Sequence, residues 1–235
     1  MKHTTVSEHE PVLKVEGLHK HFTLGGQTIP VLQDLNLTLA AGEKLAILGP
    51  SGSGKSTLLG LLAGLESPDA GRILMGKQAL HELDQAELTR YRARYLGIVF
   101  QQFHLMRYLS ALENVMLPLD ITDTASGFRE RRERARHLLV QVGLEKRMDH
   151  FPHQLSGGER QRVAMARALS TEPPLILADE PSGNLDLDTG ERVMQVLFEV
   201  LQDHGSSLIL VTHNPEQAQH CDRQLRLHQG QLQPL

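Results

Sequence analysis

Short apolar runs separated by polar, turn-forming stretches make up most of the chain. Leu45-Ala-Ile-Leu48, Leu96-Gly-Ile-Val-Phe100, Leu175-Ile-Leu-Ala178 and Ser207–Val211 are nearly continuous in apolar character. Runs of that length predict strands buried on both faces. Leu35-Asn-Leu-Thr-Leu39 alternates, so Gln33–Leu39 reads as a half-buried strand. Val12-Leu-Lys-Val15 is a further short strand, and Gly25-Gly26 and Ala41-Gly42 supply turns. Helical patterns cover Leu58–Leu65, Asp84–Tyr91, Ser110–Leu119, Phe128–Val142 and the segment from Asp188 to Gly205. Asp84 with Glu87, and Asp188 with Glu191, have the spacing of capping boxes. Val193, Val196, Leu197, Val200 and Leu201 form one apolar stripe, and Gly143 and Gly205 are stop signals. Strands alternating with helices predict a mostly parallel sheet covered on both faces. No strand pattern falls between Phe100 and Pro174, so residues 102–170 read as a helical subdomain inserted into a strand-rich core. Residues 1–11 read as a disordered leader and 12–235 as one domain.

Composition narrows the picture. The chain has 235 residues, 40% apolar and 22% charged, with a formal net charge of −4. That is globular composition with no basic excess, and it argues against a nucleic-acid partner. Six Phe, three Tyr and no Trp are few for reading single strands by stacking. Cys221 is the only cysteine, which excludes an internal disulfide and points to a reducing compartment. No apolar run approaches the ~20 residues of a membrane span, and the polar first ten residues lack a signal region. The expected location is cytoplasmic.

Gly49-Pro-Ser-Gly-Ser-Gly-Lys-Ser56 matches the phosphate-binding P-loop pattern. Its glycines let successive backbone N–H groups converge on phosphate oxygens. The helix that follows adds its positive N-terminal end. Gly49, Pro50, Ser51, Gly52, Ser53 and Gly54 form the cradle. Lys55 is suited to the β- and γ-phosphates, Ser56 to Mg²⁺, and Thr57 is the next N–H donor. A chance glycine-rich turn of this form arises in about one chain in a hundred. Here it also lies between a buried strand and a helix, the context the motif requires. Asp179 and Glu180 end another buried strand, where the ligand crevice of an open α/β sheet lies. Asp179 is the candidate Mg²⁺ holder and Glu180 the candidate group that polarises an attacking water. Water activation suits hydrolysis, whereas a kinase must exclude water.

Leu155-Ser-Gly-Gly-Glu159-Arg-Gln161 precedes that strand. Ser156 offers a hydroxyl, Gly157 and Gly158 unobstructed N–H groups, and the helix from Glu159 its N-terminal dipole: a second anion site. An ordinary Ser N-cap explains Ser156 but not the two glycines. The motif resembles the signature of the ATP-binding-cassette (ABC) ATPases, and the remaining motifs of that family follow in order over residues 12–230. Gln101 resembles the Q-loop residue that ligates Mg²⁺ and senses the γ-phosphate. Gly183-Asn-Leu-Asp186 resembles the D-loop, His213 the switch histidine and Phe22 the aromatic residue that stacks on adenine. The resemblance implies a RecA-like P-loop NTPase core with an antiparallel β-subdomain near the N-terminus. It also implies a head-to-tail homodimer that sandwiches two ATP molecules.

Phe100-Gln-Gln-Phe103, Leu109-Ser-Ala-Leu-Glu-Asn-Val115 and Glu180-Pro-Ser-Gly-Asn-Leu-Asp186 resemble a narrower group, the lipoprotein-releasing and macrolide-export (LolD- and MacB-like) ATPases. Ser182 stands where that group often has Thr. The chain ends at Leu235, so the resemblance implies a separate subunit that drives an integral membrane permease from the cytoplasmic face of the inner membrane. An ATP-dependent regulatory module of a membrane complex without transport is the alternative. DNA-repair and translation-type relatives are disfavoured, since the chain has no coiled-coil or zinc insertion and only one cassette. His19 with His21, and His150 with His153, lack a third metal ligand and read as surface histidines. The arginines of Phe128–Arg136 read as a solvated helix face. Phe103, Leu105, Met106, Tyr108 and Leu109 exceed what one junction needs, so part of that set is expected at the surface as a docking groove.

Overall fold

The computed structural model describes residues 11–122 and 126–235. The expected leader lies, apart from Pro11, outside them. In chain order the strands are β1 (Leu13–Leu24), β2 (Gln27–Leu39), β3 (Lys44–Leu48), β4 (Ala70–Met75), β5 (Gln78–Ala79), β6 (Leu96–Val99), β7 (Leu175–Asp179), β8 (Ser207–Thr212), β9 (Arg223–His228) and β10 (Gln231–Pro234). The helices are α1 (Lys55–Leu62), α2 (Gln85–Tyr95), α3 (Ala111–Thr122), α4 (Phe128–Gln141), α5 (Gly157–Leu169), α6 (Leu187–His204) and α7 (Pro215–Ala218). One sheet is antiparallel, in the order β2-β1-β4-β5. The other runs β10-β9-β3-β8-β7-β6, parallel except for β10 at its edge.

The central strands are apolar throughout because both faces are covered. Ala46, Leu48, Ile176, Ala178, Leu208 and Leu210 point into a core built with α3, α4, α5 and α6. Their neighbours Leu45, Ile47, Leu175, Leu177, Ile209 and Val211 point to the opposite side, against α1, α2 and the antiparallel sheet. The period of two thus sorts each strand into two cores. On α6, Val193, Leu197, Val200 and Leu201 are buried, and Val196 packs at the margin of the same core.

Several elements differ from the sequence reading. The strand expected at Val12–Val15 runs on to Leu24, paired with β2 in a long hairpin that turns at Gly25-Gly26. Its outer half carries His19, Lys20 and His21, so cross-strand pairing rather than apolar pattern holds it. The short strands β4, β5, β9 and β10 carried no recognised signal. In β9 only Leu225 and Leu227 are buried, between polar residues. α1 ends at Leu62, because Leu65 and Glu66 both donate back to the Gly60 carbonyl. The cap of α6 is Asp186, not Asp188. Its carboxylate accepts from Thr189 N–H at 3.0 Å, because the turn before it, closed by Leu185 N–H on Ser182 O, delivers the chain two residues early. The Asp84–Glu87 capping box on α2 is present as expected.

β6 is the opposite edge strand, and α5 lies directly on it. A Cβ at Gly97 would stand 2.2 Å from Ala168 O and 2.5 Å from Ile176 Cδ1. Gly97→Ala must therefore push α5 off the sheet. A loss of about 1–3 kcal/mol is expected, read as a lower urea midpoint with an unchanged m-value.

Candidate active site

Four neighbouring strands end together. Leu48 of β3 pairs with Thr212 of β8, Val211 with Asp179 of β7, and Ala178 with Val99 of β6. The P-loop, His213, Asp179-Glu180 and Gln101 each follow one of these ends. Residues far apart in sequence therefore meet along one sheet edge.

The P-loop wraps between β3 and α1. Lys55 is buried, and its Nζ donates to Gly49 O and Pro50 O at 2.8 and 2.9 Å. Gly54, at φ +98, could carry no side chain, since a Cβ would lie 2.7 Å from Val31 Cγ1. Val31 is the extra residue of a bulge, left over where Lys20 pairs with Leu32 and His21 with Pro30. Ser53 Oγ is buried in the loop without a hydrogen-bond partner. An orphaned hydroxyl inside a cradle of backbone N–H groups is what a phosphate would satisfy. Ser51, Gly52 and Pro50 are exposed at the rim, and Thr57 is half-buried on α1. Phe22 is partly exposed and pairs with Ile29 on β2, two residues from Val31. Lys20 Nζ lies 5.4 Å from its ring centroid.

Ser56 Oγ donates to Asp179 Oδ2 at 3.0 Å. Burial raises the Asp179 carboxyl above its ordinary value, and the Glu180 charge adds to this against the opposing pull of Ser56 and Lys55. A divalent cation would restore its ionised form, so the Ser56–Asp179 pair fits Mg²⁺. Glu180 has φ +43, a left-handed conformation that costs of order 1–3 kcal/mol in a non-glycine residue. Its N–H donates to Val211 O, and its carbonyl accepts from Gly183 N–H, both at 2.9 Å. The strained turn places Glu180 Oε1 3.2 Å from His213 Nδ1. Behind it, Gln217 Nε2 donates to Ser182 Oγ at 2.6 Å, and Thr212 Oγ1 to Gln217 Oε1 at 3.2 Å. Ser182, Gln217 and Thr212 brace the turn, a role no sequence signal showed.

Gln101 lies at the same edge but faces Asn184. Its Nε2 donates to Asn184 Oδ1 at 3.4 Å, and Asn184 Nδ2 donates to Gln101 O at 3.0 Å. The loop beyond it has two residues of positive φ, Phe103 and His104. Arg167 from α5 donates to both of their carbonyls. Asn114, fully buried on α3, accepts from Met106 N–H and donates to the carbonyls of Met106, Leu109 and Ser110. Leu105 packs on the core, Phe103 sits under the Arg160 guanidinium, and Leu109 is half-buried. Met106 and Tyr108 are exposed, at 53% and 83%. Asn114 and Arg167 were not singled out in the sequence, because only contact identifies them.

Ser156 caps α5. Its hydroxyl accepts from Glu159 N–H at 3.2 Å, and Glu159 Oε2 accepts from Ser156 N–H at 2.8 Å. Among the described residues no hydrogen bond joins this cap to the P-loop, so it is a separate site within the chain. The glycines also have an internal reason. A Cβ at Gly157 would stand 2.9 Å from Leu185 Cδ2, and one at Gly158 2.5 Å from Thr189 Cγ2. They let the first turn of α5 lie against the turn into α6, which packing alone demands. Asp186 caps that helix, and the N–H of Thr189 holds its carboxyl below the ordinary range. No group of three or more His, Cys, Asp or Glu able to hold a metal occurs among the described residues.

This geometry belongs to a known family. The family model described as "ABC transporter" matches residues 32–183, and the chain belongs to that family as an ATP-binding subunit of the LolD/MacB group. It is 46% identical to the "Uncharacterized ABC transporter ATP-binding protein YbbA" of Escherichia coli (strain K12), over 95% of this chain and 97% of that one. It is also 46% identical to the "Lipoprotein-releasing system ATP-binding protein LolD" of Treponema denticola, over 94% and 97% of the two chains. The dimeric ATP-binding cassette MJ0796, solved in a post-hydrolysis state bound to ADP and Pi, superposes with a TM-score of 0.86. It is 41% identical and covers 94% of this chain and 96% of its own.

The Glu159 carboxyl is lowered from 4.5 to about 2, mainly by the Ser156 N–H and then by Arg147. A carboxyl whose pKa is depressed by folding stabilises the fold above its unfolded value and loses that contribution as pH falls through the folded one. The stability difference between wild type and Glu159→Gln should therefore be full above pH 4.5 and shrink towards pH 2. Urea titrations across that range measure it.

Proposed function

We propose that the chain binds ATP with Mg²⁺, hydrolyses it in a head-to-tail dimer and so drives a separate membrane permease of the lipoprotein-release or macrolide-export type. The cytoplasmic face of the inner membrane is its proposed place of work. Among the described residues no helix is long and apolar enough to cross a membrane. The observation that carries the reading is the single sheet edge where Lys55, Ser56, Asp179, Glu180 and His213 converge, with the Ser156 cap set apart from it.

In this reading the P-loop residues 49–57 hold the phosphates, and Lys55 exchanges its carbonyl partners for phosphate oxygens. Phe22 offers a ring face to adenine. Ser56, Asp179 and Gln101 would hold Mg²⁺, which neutralises phosphate charge when bound. Glu180, fixed by its strained turn, accepts a proton from the attacking water, and His213 orients that carboxylate and contacts the γ-phosphate. Ser156, Gly157, Gly158 and Glu159, with Asp186, complete the nucleotide site of a second copy. One chain thus carries two half-sites, and closure requires ATP between them.

Glu180→Gln keeps the shape and removes the base. ATP binding should persist while hydrolysis falls ~10²–10⁴-fold, and the variant should run as an ATP-dependent dimer in size-exclusion chromatography. Hydrolysis near the wild-type rate would remove Glu180 from this role.

The permease docks on the loop that follows Gln101. Met106 and Tyr108 stand exposed, with Arg107 beside the Tyr108 ring at 5.8 Å. An apolar pair with a basic rim suits an amphipathic helix. Met106→Glu and Tyr108→Glu should weaken recovery of the chain with membranes while leaving soluble ATPase activity nearly unchanged. Membrane recovery of both variants at wild-type yield would refute the docking site.

A further inference from the structure

Arg147 belongs to none of the motifs, yet its side chain is aimed at one. It sits in a short turn after α4, and its Nε donates to Glu159 Oε1 at 2.9 Å. The other carboxylate oxygen, Oε2, takes the Ser156 N–H. The carboxylate is therefore shared between a guanidinium on one side and the helix cap on the other. On its far flank Arg147 Nη1 lies 3.3 Å from His150 Nε2. The turn itself is anchored. Met148 O and His150 O accept from Leu112 and Ala111 N–H at 2.9 and 2.8 Å, which satisfies the first amides of α3. α3 in turn carries Asn114, the clamp of the exposed loop.

Among the described residues, other cations stand near the carboxylate without bonding it, and Arg162 Nη1 donates to Val142 O at 3.0 Å. Arg162 and Arg192 line the cleft bordered by Ser156 and Glu159. Without Arg147, Glu159 loses the guanidinium that holds Oε1, and turning towards Arg162, Arg192 or Lys146, which lines the cleft on the Arg147 side, withdraws Oε2 from the Ser156 N–H. In the intact cap the Ser156 oxygen accepts from Glu159 N–H, so its hydroxyl proton remains available for an incoming acceptor.

We propose that Arg147 is a positioning residue for ATP hydrolysis. It holds Glu159 in the cap, and so keeps the Ser156 hydroxyl and the leading N–H groups of α5 aimed at the γ-phosphate bound by a second copy. The proposal rests on the shared-site dimer proposed above. Arg147 is nearly half exposed, and exposed ion pairs contribute little to stability. Its removal should therefore register mainly in rate, with only a small change in folding stability.

The test uses the purified full-length chain with Arg147→Ala, Arg147→Lys, Glu159→Gln, Ser156→Ala and the Arg147→Ala/Glu159→Gln pair. The readouts are steady-state hydrolysis, equilibrium ATP binding without Mg²⁺, and thermal midpoint. Arg147→Ala should lower kcat about tenfold, the scale of a sub-ångström misplacement, with ATP binding held and the midpoint nearly so. Arg147→Lys should regain part of the rate, and the double variant should be no slower than Glu159→Gln alone. The proposal is overturned by wild-type kcat in Arg147→Ala, by fully additive losses in the pair, or by a matching fall in thermal midpoint. Ser156→Ala separates the two readings. If it hydrolyses at the wild-type rate the shared-site dimer itself fails, whereas a slow Ser156→Ala beside a fast Arg147→Ala sinks only the role of Arg147.

Discussion

The parallel register of β3, β8, β7 and β6 is the constraint on which everything else depends. Pairing Leu48 with Thr212, Val211 with Asp179 and Ala178 with Val99 brings four chain segments to one edge. A slip of one residue in any pair would exchange the two faces of that strand and set side chains packed for one core into the other. Register is thus enforced by the two cores, and the cores in turn fix where Ser56, Asp179, Glu180 and His213 emerge. The polar site needs no separate device to assemble it.

Where the strands stop, strain and clamps take over. Glu180 is held at positive φ by the last rung of the β7–β8 ladder and by the Gly183 amide. Phe103 and His104 are held at positive φ by Arg167, and the segment beyond them by Asn114. Such conformations persist only when their surroundings over-determine them. Both lie between the sheet edge and surfaces that a second chain or a membrane partner would meet. Gln101, bonded to Asn184 at the start of the clamped loop, is the shared end of the two.

The helix face of the sheet holds the other proposed half-site. α5 packs on β6 through Gly97, and its first turn packs on the approach to α6 through Gly157 and Gly158. The same close approach that builds the core presents Ser156 at the surface. The packing demand and the proposed ligand-binding role fall on the same glycines, and so their spacing is recognisable long before its packing role is visible.

The sequence by itself marked the candidate chemistry and the strands that carry it. Continuous apolar runs before Gly49, Asp179 and His213 marked buried strands. The spacing of Gly49, Gly54, Lys55 and Ser56 marked the proposed phosphate cradle, because both signals are local. It also marked most helices, through periodicity and caps. The missed elements include the outer half of β1, held by cross-strand pairing, and the short strands β4, β5, β9 and β10, whose few buried residues, such as Ile73, Met75, Leu225 and Leu227, make no run or alternation long enough to read. The cap of α6 was misplaced by two residues, since Asp186 and Asp188 look alike until the preceding turn decides between them. Only the tertiary structure could show Asn184 beside Gln101, Gln217 behind Ser182, Asn114 and Arg167 clamping the exposed loop, and Arg147 on Glu159. Each is a polar side chain whose role comes from a partner distant along the chain, and no local pattern records such a partner.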